Sequence, residues 1–264
     1  MELTNLLSAV KQVVQSTGAF ILENRNKVKS ADVEIKSLNS LVSYVDKKAE
    51  EQLVHGLQRI LPEAGFITEE DTEDDTTQEY TWIIDPLDGT TNFLFGLPIF
   101  AISVALQHKN EMVLGVVYEL GQKELFTAIK GGGAFLNNQP IKVSQNTAFA
   151  DSLIATGFPY YDFKHTDAYL NLLKSMFGKC RGLRRLGSAA TDLAYVACGR
   201  FDAYFEYSLH AWDVAAGILL VTEAGGKVSD FKDDDDYLFG GEIVAASSAL
   251  KGEVTKMVMA HLKG

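Results

Sequence analysis

The sequence predicts two unlike halves, an α+β unit up to about residue 140 and an α/β unit after it. Three observations carry this expectation. Apolar residues recur at helical spacing in residues 4–23 and 46–60. Runs of β-prone residues follow one another from 99 to 129 with no helical segment between them. After about residue 140, strand-like and helix-like segments alternate, as they do where helices are layered on a sheet.

The first helix carries Leu6, Val10, Val13, Thr17, Phe20 and Ile21 on one face. Val33 to Leu41 is expected to be extended or looped. The second helix presents Ala49, Leu53, Leu57 and Ile60 and stops at Pro62. Phe66-Ile67 leads into Thr68-Glu69-Glu70-Asp71, and the acidic stretch Asp71 to Glu79 is expected to be a solvated loop. Tyr80-Thr81-Trp82-Ile83-Ile84 has the apolar continuity of a buried strand. Ile99 to Gln107 and Met112 to Glu119 flank Lys109-Asn110 as the arms of a hairpin, and Leu125 to Ile129 makes a third strand. Gly131-Gly132-Gly133 lacks the spacing of a Walker phosphate loop and reads as a turn.

In the second half, helices are expected at Asp167 to Phe177, Ser188 to Cys198 and Ala211 to Ala224. Strands are expected at Leu153 to Thr156, Asp202 to Tyr207, Gly226 to Ser229 and Ile243 to Ala246. A last helix runs from about Leu250 to Leu262. There is no repeat and no flexible linker. Residues 1–264 therefore read as a single unit whose subdomains, 1–140 and 141–264, share one interface.

Composition narrows the function class. A chain of 264 residues, 47% hydrophobic and 22% charged, can bury a sizeable core without disulfides. Cys180 and Cys198 sit in no metal-type cluster and read as reduced thiols of a cytoplasmic protein. Met1 to Val14 contains Glu2 and Lys11 and lacks the apolar stretch of a secretory signal. No run nears the ~18 apolar residues of a membrane span. The net charge of −11, with no local basic patch, argues against nucleic acid as a partner. An acidic protein can still accept a small phosphorylated molecule once divalent cations neutralise its carboxylates. The run Asp233 to Asp236 is expected to be an exposed loop.

The chemistry concentrates in Asp85-Pro86-Leu87-Asp88-Gly89-Thr90-Thr91-Asn92-Phe93, which follows the Trp82 strand. Carboxylates are hard oxygen ligands suited to Mg²⁺. Gly89 lets the backbone approach a ligand closely. A helix beginning near Thr90 would aim free N–H groups at an anion in the same place. Two further acidic segments stand apart in the chain, Glu69-Glu70 and the Asp213 of Ala211-Trp212-Asp213-Val214-Ala215-Ala216-Gly217. Taken singly, each has a plainer explanation. Asp85 and Asp88 suit a turn, Asp213 suits a helix N-cap, and Glu69-Glu70 is an ordinary loop pair. Taken together, they suit a two-cation site with one carboxylate bridging.

The three segments, in this order, resemble the inositol monophosphatase family of Mg²⁺-dependent, lithium-sensitive phosphatases. Trp212-Asp213-Val214-Ala215-Ala216-Gly217, followed by Glu223-Ala224-Gly225-Gly226, is the second of the family's signatures, and the likeness spans nearly the whole chain. It implies a layered αβαβα sandwich of the inositol monophosphatase and fructose-bisphosphatase type. It implies two or three Mg²⁺ per site. Glu69, Asp85 and the Leu87 carbonyl match the ligands of the first ion, and Asp85, Asp88 and Asp213 those of the second. A third, weakly held ion would also use Glu69. Gly89 and Thr90 match backbone donors to phosphate. The Thr90 hydroxyl, with Asp46 as its partner, matches the group that orients the attacking water, held in line with phosphorus by Glu69 and Thr90 and activated by the metal.

Substrate contacts follow by the same likeness. Glu206 matches an acid that binds sugar or inositol hydroxyls. Gly187-Ser188-Ala189 matches a turn beside the substrate, where Ser188 is a good N-cap, and Asp88 and Asp213 border the same space. Lys36 falls in a matching loop. Arg184 and Arg185 suit a phosphate or a neighbouring subunit, and His210 suits a pocket wall. The family is commonly dimeric, so a homodimer is expected. The substrate expected is myo-inositol monophosphate. Fructose 1,6-bisphosphate and 3′-phosphoadenosine nucleotides are the alternatives within the superfamily, and a binding protein that keeps the fold is the alternative of another class.

Overall fold

The computed structural model describes residues 2–28, 32–37, 40–70, 78–159 and 163–262. Helices α1 (Leu3–Asn24) and α2 (Tyr44–Ile60) pack on each other through the apolar faces legible in the sequence. Between them, β1 (Val33–Ser37) and β2 (Ser40–Ser43) form a small antiparallel pair. Residues 71–77 of the acidic stretch lie outside the described residues.

The larger sheet contains β3 (Gly65–Thr68), β4 (Tyr80–Asp88), β5 (Ala101–His108), β6 (Glu111–Glu119), β7 (Glu124–Ile129), β8 (Gly133–Leu136) and β9 (Gln139–Ile141), in that spatial order. Only the β3–β4 pair is parallel. The hairpin expected around Lys109-Asn110 is β5–β6, and both turn residues take positive φ, +48° and +67°. The triple glycine is a turn, with positive φ at Gly131 and Gly133. The short strands β8 and β9 were not foreseen. Their apolar content is too small for a periodic signal, and the Asn137-Asn138 turn between them pairs them.

The smaller sheet has the order β11-β10-β12-β14-β13. Its strands are β10 (Leu153–Thr156), β11 (Gly182–Arg184), β12 (Ala203–Tyr207), β13 (Gly226–Ser229) and β14 (Glu242–Ser247). Helices are layered on this sheet as the strand–helix alternation predicts, and its strand pairing is mixed. Strand β10 runs parallel to β11 and β12, whereas β14 is antiparallel to both β12 and β13. No crossover helix lies between Ser229 and Glu242, so β13 and β14 have no means of running parallel.

Five layers result. Helices α1 and α2 cover one face of the larger sheet, and their side chains form one core with Trp82, Ile84, Ile102, Val104 and Leu114. Helices α5 (Ala189–Ala197) and α6 (Ala211–Glu223) fill the space between the two sheets. Helices α4 (Thr166–Met176) and α7 (Lys251–His261) cover the far face of the smaller sheet. The architecture is an α+β layered sandwich of αβαβα type. Small residues let the middle layer pack closely. A Cβ on Gly115 of β6 would fall 2.9 Å from the Ala216 carbonyl, and one on Gly217 would fall 2.5 Å from the Leu193 side chain. None of the described helices is long and apolar enough to cross a membrane.

Candidate active site

Strand β4 ends at the edge of the middle layer, and its last residues break the regular pleat. In a plain strand, residues three apart point to opposite faces. Here the β4–β5 register shifts, with Asp85 opposite Ser103 and Asp88 opposite Ala101, so β4 carries one extra residue. This bulge contains Pro86, which has no N–H to lose. It turns Asp85 and Asp88 toward the same side. Asp85 Oδ1 accepts the Leu87 N–H at 2.9 Å, which closes the turn.

Two more acids arrive from other elements. Because β3 runs parallel to β4 with Thr68 opposite Ile84, the next residue, Glu69, falls beside Asp85. The Glu70 N–H donates to Glu50 Oε2 of α2 at 2.8 Å, which anchors this segment from below. Asp213 occupies the third position of α6, and its Oδ2 accepts the His210 N–H at 2.6 Å. Oxygen atoms of Asp85, Asp88 and Asp213 all lie within 4.8 Å of one another.

Gathering carboxylates in a buried place raises their affinity for protons. Asp85 is driven well above the usual carboxylate range, first by burial and then by Glu69, Asp88 and Asp213. Asp213 is driven up by burial and by Asp88. Asp88 rises to about 6 through burial, although hydrogen bonds from Ser188, Ala190 and Ala189 oppose the shift. Such acids are stabilised either by taking up protons or by positive charge placed among them. All the donors are hard oxygens, the Leu87 carbonyl included, so the residues present fit a hard divalent cation.

On the near wall, Gly89 takes φ +91° and begins the five-residue helix α3 (Thr90–Leu94). The Thr90 hydroxyl lies 2.9 Å from Asp46 Oδ1 and 3.0 Å from the Leu87 carbonyl. Asp46 is buried at the start of α2. Its Oδ2 accepts both the N–H and the hydroxyl of Ser43, at 2.9 and 2.7 Å, in a capping box. Burial pushes its carboxyl upward against these three donors.

The far wall belongs to the second half of the chain. Ser188 caps α5, and its hydroxyl donates to Asp88 Oδ2 at 2.7 Å. Glu206 on β12 is buried and is pushed up to about 7, chiefly by burial, while the Tyr204 hydroxyl donates to its Oε2 at 2.6 Å. Its carboxylate rests directly on Gly157, where a Cβ would fall only 1.9 Å away. Arg185, Ser208, Leu209 and the stacked pair His210 and Trp212, with ring centroids 4.6 Å apart, complete this wall.

Comparison with known proteins decides the family. The model of the inositol monophosphatase family matches residues 2–263. The chain belongs to that family. It is 39% identical over 254 residues to an inositol-1-monophosphatase of Mesorhizobium japonicum, with 96% of each chain covered. It is 40% identical over 259 residues to the Nus factor SuhB of Escherichia coli K12, covering 98% of this chain and 96% of that one. The crystal structure of the extragenic suppressor protein suhB from Bartonella henselae superposes with a TM-score of 0.90 at 37% identity, over 96% of this chain and 98% of that one. As a member of the inositol monophosphatase family, the protein is a phosphoric monoester hydrolase.

For this inositol monophosphatase family member, the residues singled out in the sequence fall as follows. Glu69, Asp85, Leu87, Asp88, Gly89, Thr90, Ser188, Ala189, Glu206 and Asp213 line one cleft. Asp46 reaches it through Thr90. Asp213 is not an N-cap, because His210 holds that position and Asp213 sits three residues inside. Arg185 lines the cleft, whereas Arg184 is exposed and donates to the Leu183 carbonyl. His210 is exposed on the wall. The Lys36 side chain lies outside the described residues. Cys180 and Cys198 are free thiols whose pKa values burial pushes up. Asp233 pairs with Lys251 at 2.8 Å in an exposed loop. Sequence reasoning missed Glu50, Asn92 and Gly157. Glu50 and Gly157 carry no local signature and Asn92 sits inside one, but the part each plays comes from contacts with segments far away in the chain.

Proposed function

We propose that the protein is a Mg²⁺-dependent phosphatase that hydrolyses myo-inositol monophosphate. One observation carries this reading, the convergence of Asp85, Asp88 and Asp213 beside Thr90. Glu69, Asp85 and the Leu87 carbonyl would hold one ion, and Asp85, Asp88 and Asp213 a second. A third ion would draw on Glu69. When bound, Mg²⁺ supplies Lewis-acid charge and lowers the pKa of a coordinated water.

The chain's own residues do the rest. The N–H groups of Gly89 and Thr90 donate to the phosphate. The Thr90 hydroxyl, which donates to Asp46, accepts a hydrogen bond from the attacking water and keeps that water in line with phosphorus together with Glu69. Glu206 accepts hydrogen bonds from hydroxyls of the polyol. Ser188 and Ala189 fix the turn that shapes this side, where Asp88 and Asp213 border the leaving oxygen. Residues 1–264 act as one catalytic unit, with the metal motif in 1–140 and the polyol wall in 141–264. We further propose that it works as a cytoplasmic homodimer and is inhibited by lithium.

Phosphate release from myo-inositol 1-phosphate, fructose 1,6-bisphosphate and 3′-phosphoadenosine 5′-phosphate at equal concentration tests the substrate. Preference for either of the last two would move the protein to another branch of the superfamily. The relatives named Nus factor SuhB favour a second role in binding. The complete set of acids argues that any such role accompanies catalysis rather than replaces it.

A further inference from the structure

Asn92 lies in the signature segment yet touches no part of the acidic cluster. It is 5% exposed. Its Nδ2 stands 2.7 Å from the Ile99 carbonyl, 2.9 Å from the Leu186 carbonyl and 3.4 Å from the Gly187 carbonyl. Three carbonyls around one atom admit only the donor end of the amide, so its orientation follows from chemistry. Ile99 leads from α3 into β5. Leu186 and Gly187 precede α5 on the opposite wall. The amide therefore bridges the phosphate corner and the polyol wall, which lie more than ninety residues apart in the chain.

The glycines at this junction show how close the fit is. A Cβ on Gly89 would fall 3.0 Å from the Ile99 carbonyl and 3.2 Å from the Gly187 carbonyl. Gly187 has φ +89°, and a Cβ there would fall 2.4 Å from Arg185 Nη1 and 3.2 Å from Asn92 Nδ2. The Arg185 guanidinium folds over Gly187, and its Cζ lies 5.7 Å from the centre of the Phe158 ring. The guanidinium thus rests against the Gly187 backbone that Asn92 holds. Another tie between the two walls is Asp88, which accepts from Ser188 and from the Ala190 N–H, each at 2.7 Å. Asp88 also belongs to the acidic cluster, so Asn92 is a tie free of that second duty.

We propose that Asn92 is a positioning residue that registers the 185–189 turn against the phosphate corner and thereby sets selectivity for polyol phosphates. It acts through the carbonyls it holds and not by touching substrate. The proposal rests on the phosphomonoesterase reading above. A substrate that spans both walls needs the distance between them fixed, and a misplacement of about 1 Å can cost on the order of a hundredfold. A small aryl phosphate engages the phosphate corner alone and does not report that distance.

The test compares wild type and Asn92→Ala with Mg²⁺, using myo-inositol 1-phosphate and p-nitrophenyl phosphate. The ratio of kcat/KM for the two substrates is expected to fall about tenfold or more, mostly through KM for the inositol substrate. Equal losses on both substrates, or no loss on either, would overturn the proposal. If Asn92→Ala gives no soluble protein, Asn92→Ser, which keeps a short donor, is read in its place. It is expected to shift the ratio in the same direction, and equal losses overturn the proposal there too. Failure of the substrate reading shows in the wild type instead. If another polyol phosphate is preferred, the same fall in ratio is expected with that substrate. If the wild type hydrolyses no phosphate ester, both readings fall together.

Discussion

The Ser188 hydroxyl donates to Asp88 Oδ2 across 2.7 Å, joining residues one hundred positions apart in the chain. The Ala190 N–H donates to the same oxygen at 2.7 Å. One carboxylate therefore belongs at once to the acidic cluster and to the turn that begins α5. The two halves of the molecule meet at this oxygen, so small changes on either side reach the other.

On the proposed two-cation reading, the fully buried Asp85 would be the bridging acid, because Glu69, Asp88 and Asp213 all act on it. Asp85→Asn keeps its shape and removes its charge. Turnover of inositol phosphate is expected to fall at least about a hundredfold. The rise in Tm that Mg²⁺ gives the wild type should vanish with it. A binding role independent of catalysis would survive, which pull-down with the variant measures. Near-normal turnover by Asp85→Asn would remove this acid from the metal site.

Stability should depend on pH in a direction that divalent cations reverse. Without metal, Asp88 is raised from 3.8 to about 6 and Glu206 from 4.5 to about 7, both chiefly by burial. Asp85 and Asp213 are raised well above 3.8. A group with a raised folded-state pKa contributes stability below its unfolded pKa and loses it as pH rises through the folded value. The metal-free protein should therefore lose Tm between about pH 4 and pH 7 on account of these groups. Mg²⁺ favours the ionised acids, so its stabilising shift should be larger at pH 8 than at pH 5. Thermal melts with chelator and with Mg²⁺ across this range check both signs, and chelator should also abolish turnover.

Gly157 gives Glu206 its place. A Cβ there would stand 1.9 Å from the carboxylate, far inside contact distance, so Gly157→Ala must displace the acid or the strand end that carries it. KM for the inositol substrate is expected to rise about tenfold, with a smaller effect on p-nitrophenyl phosphate. Unchanged KM would show that Glu206 does not meet the polyol.

Asp46 joins two tasks, capping α2 and holding Thr90. Asp46→Asn should lower kcat about a hundredfold while KM changes little, because the residue acts on water and not on substrate. It should change Tm little, because the amide oxygen can still accept from the Ser43 N–H that closes the capping box. An unchanged kcat would confine Asp46 to the capping box.

Much of this was legible in the chain. Helical spacing in residues 4–23 and 46–60, the apolar run before Asp85 and the hairpin around Lys109-Asn110 are local signals, and the elements stand where those signals lie. The acidic segments and their resemblance to a known family were equally plain, since short motifs keep their residues together. What sequence alone left undecided depends on distant contacts. Only the bulge at Pro86 turns Asp85 and Asp88 to one side, and only the parallel register of β3 on β4 brings Glu69 to them. Only packing sets Glu206 on Gly157 and draws three carbonyls around Asn92. Periodicity encodes the conformation of a segment because backbone preference acts over a few residues. Convergence of side chains is decided by register and close packing, to which every layer of the molecule contributes.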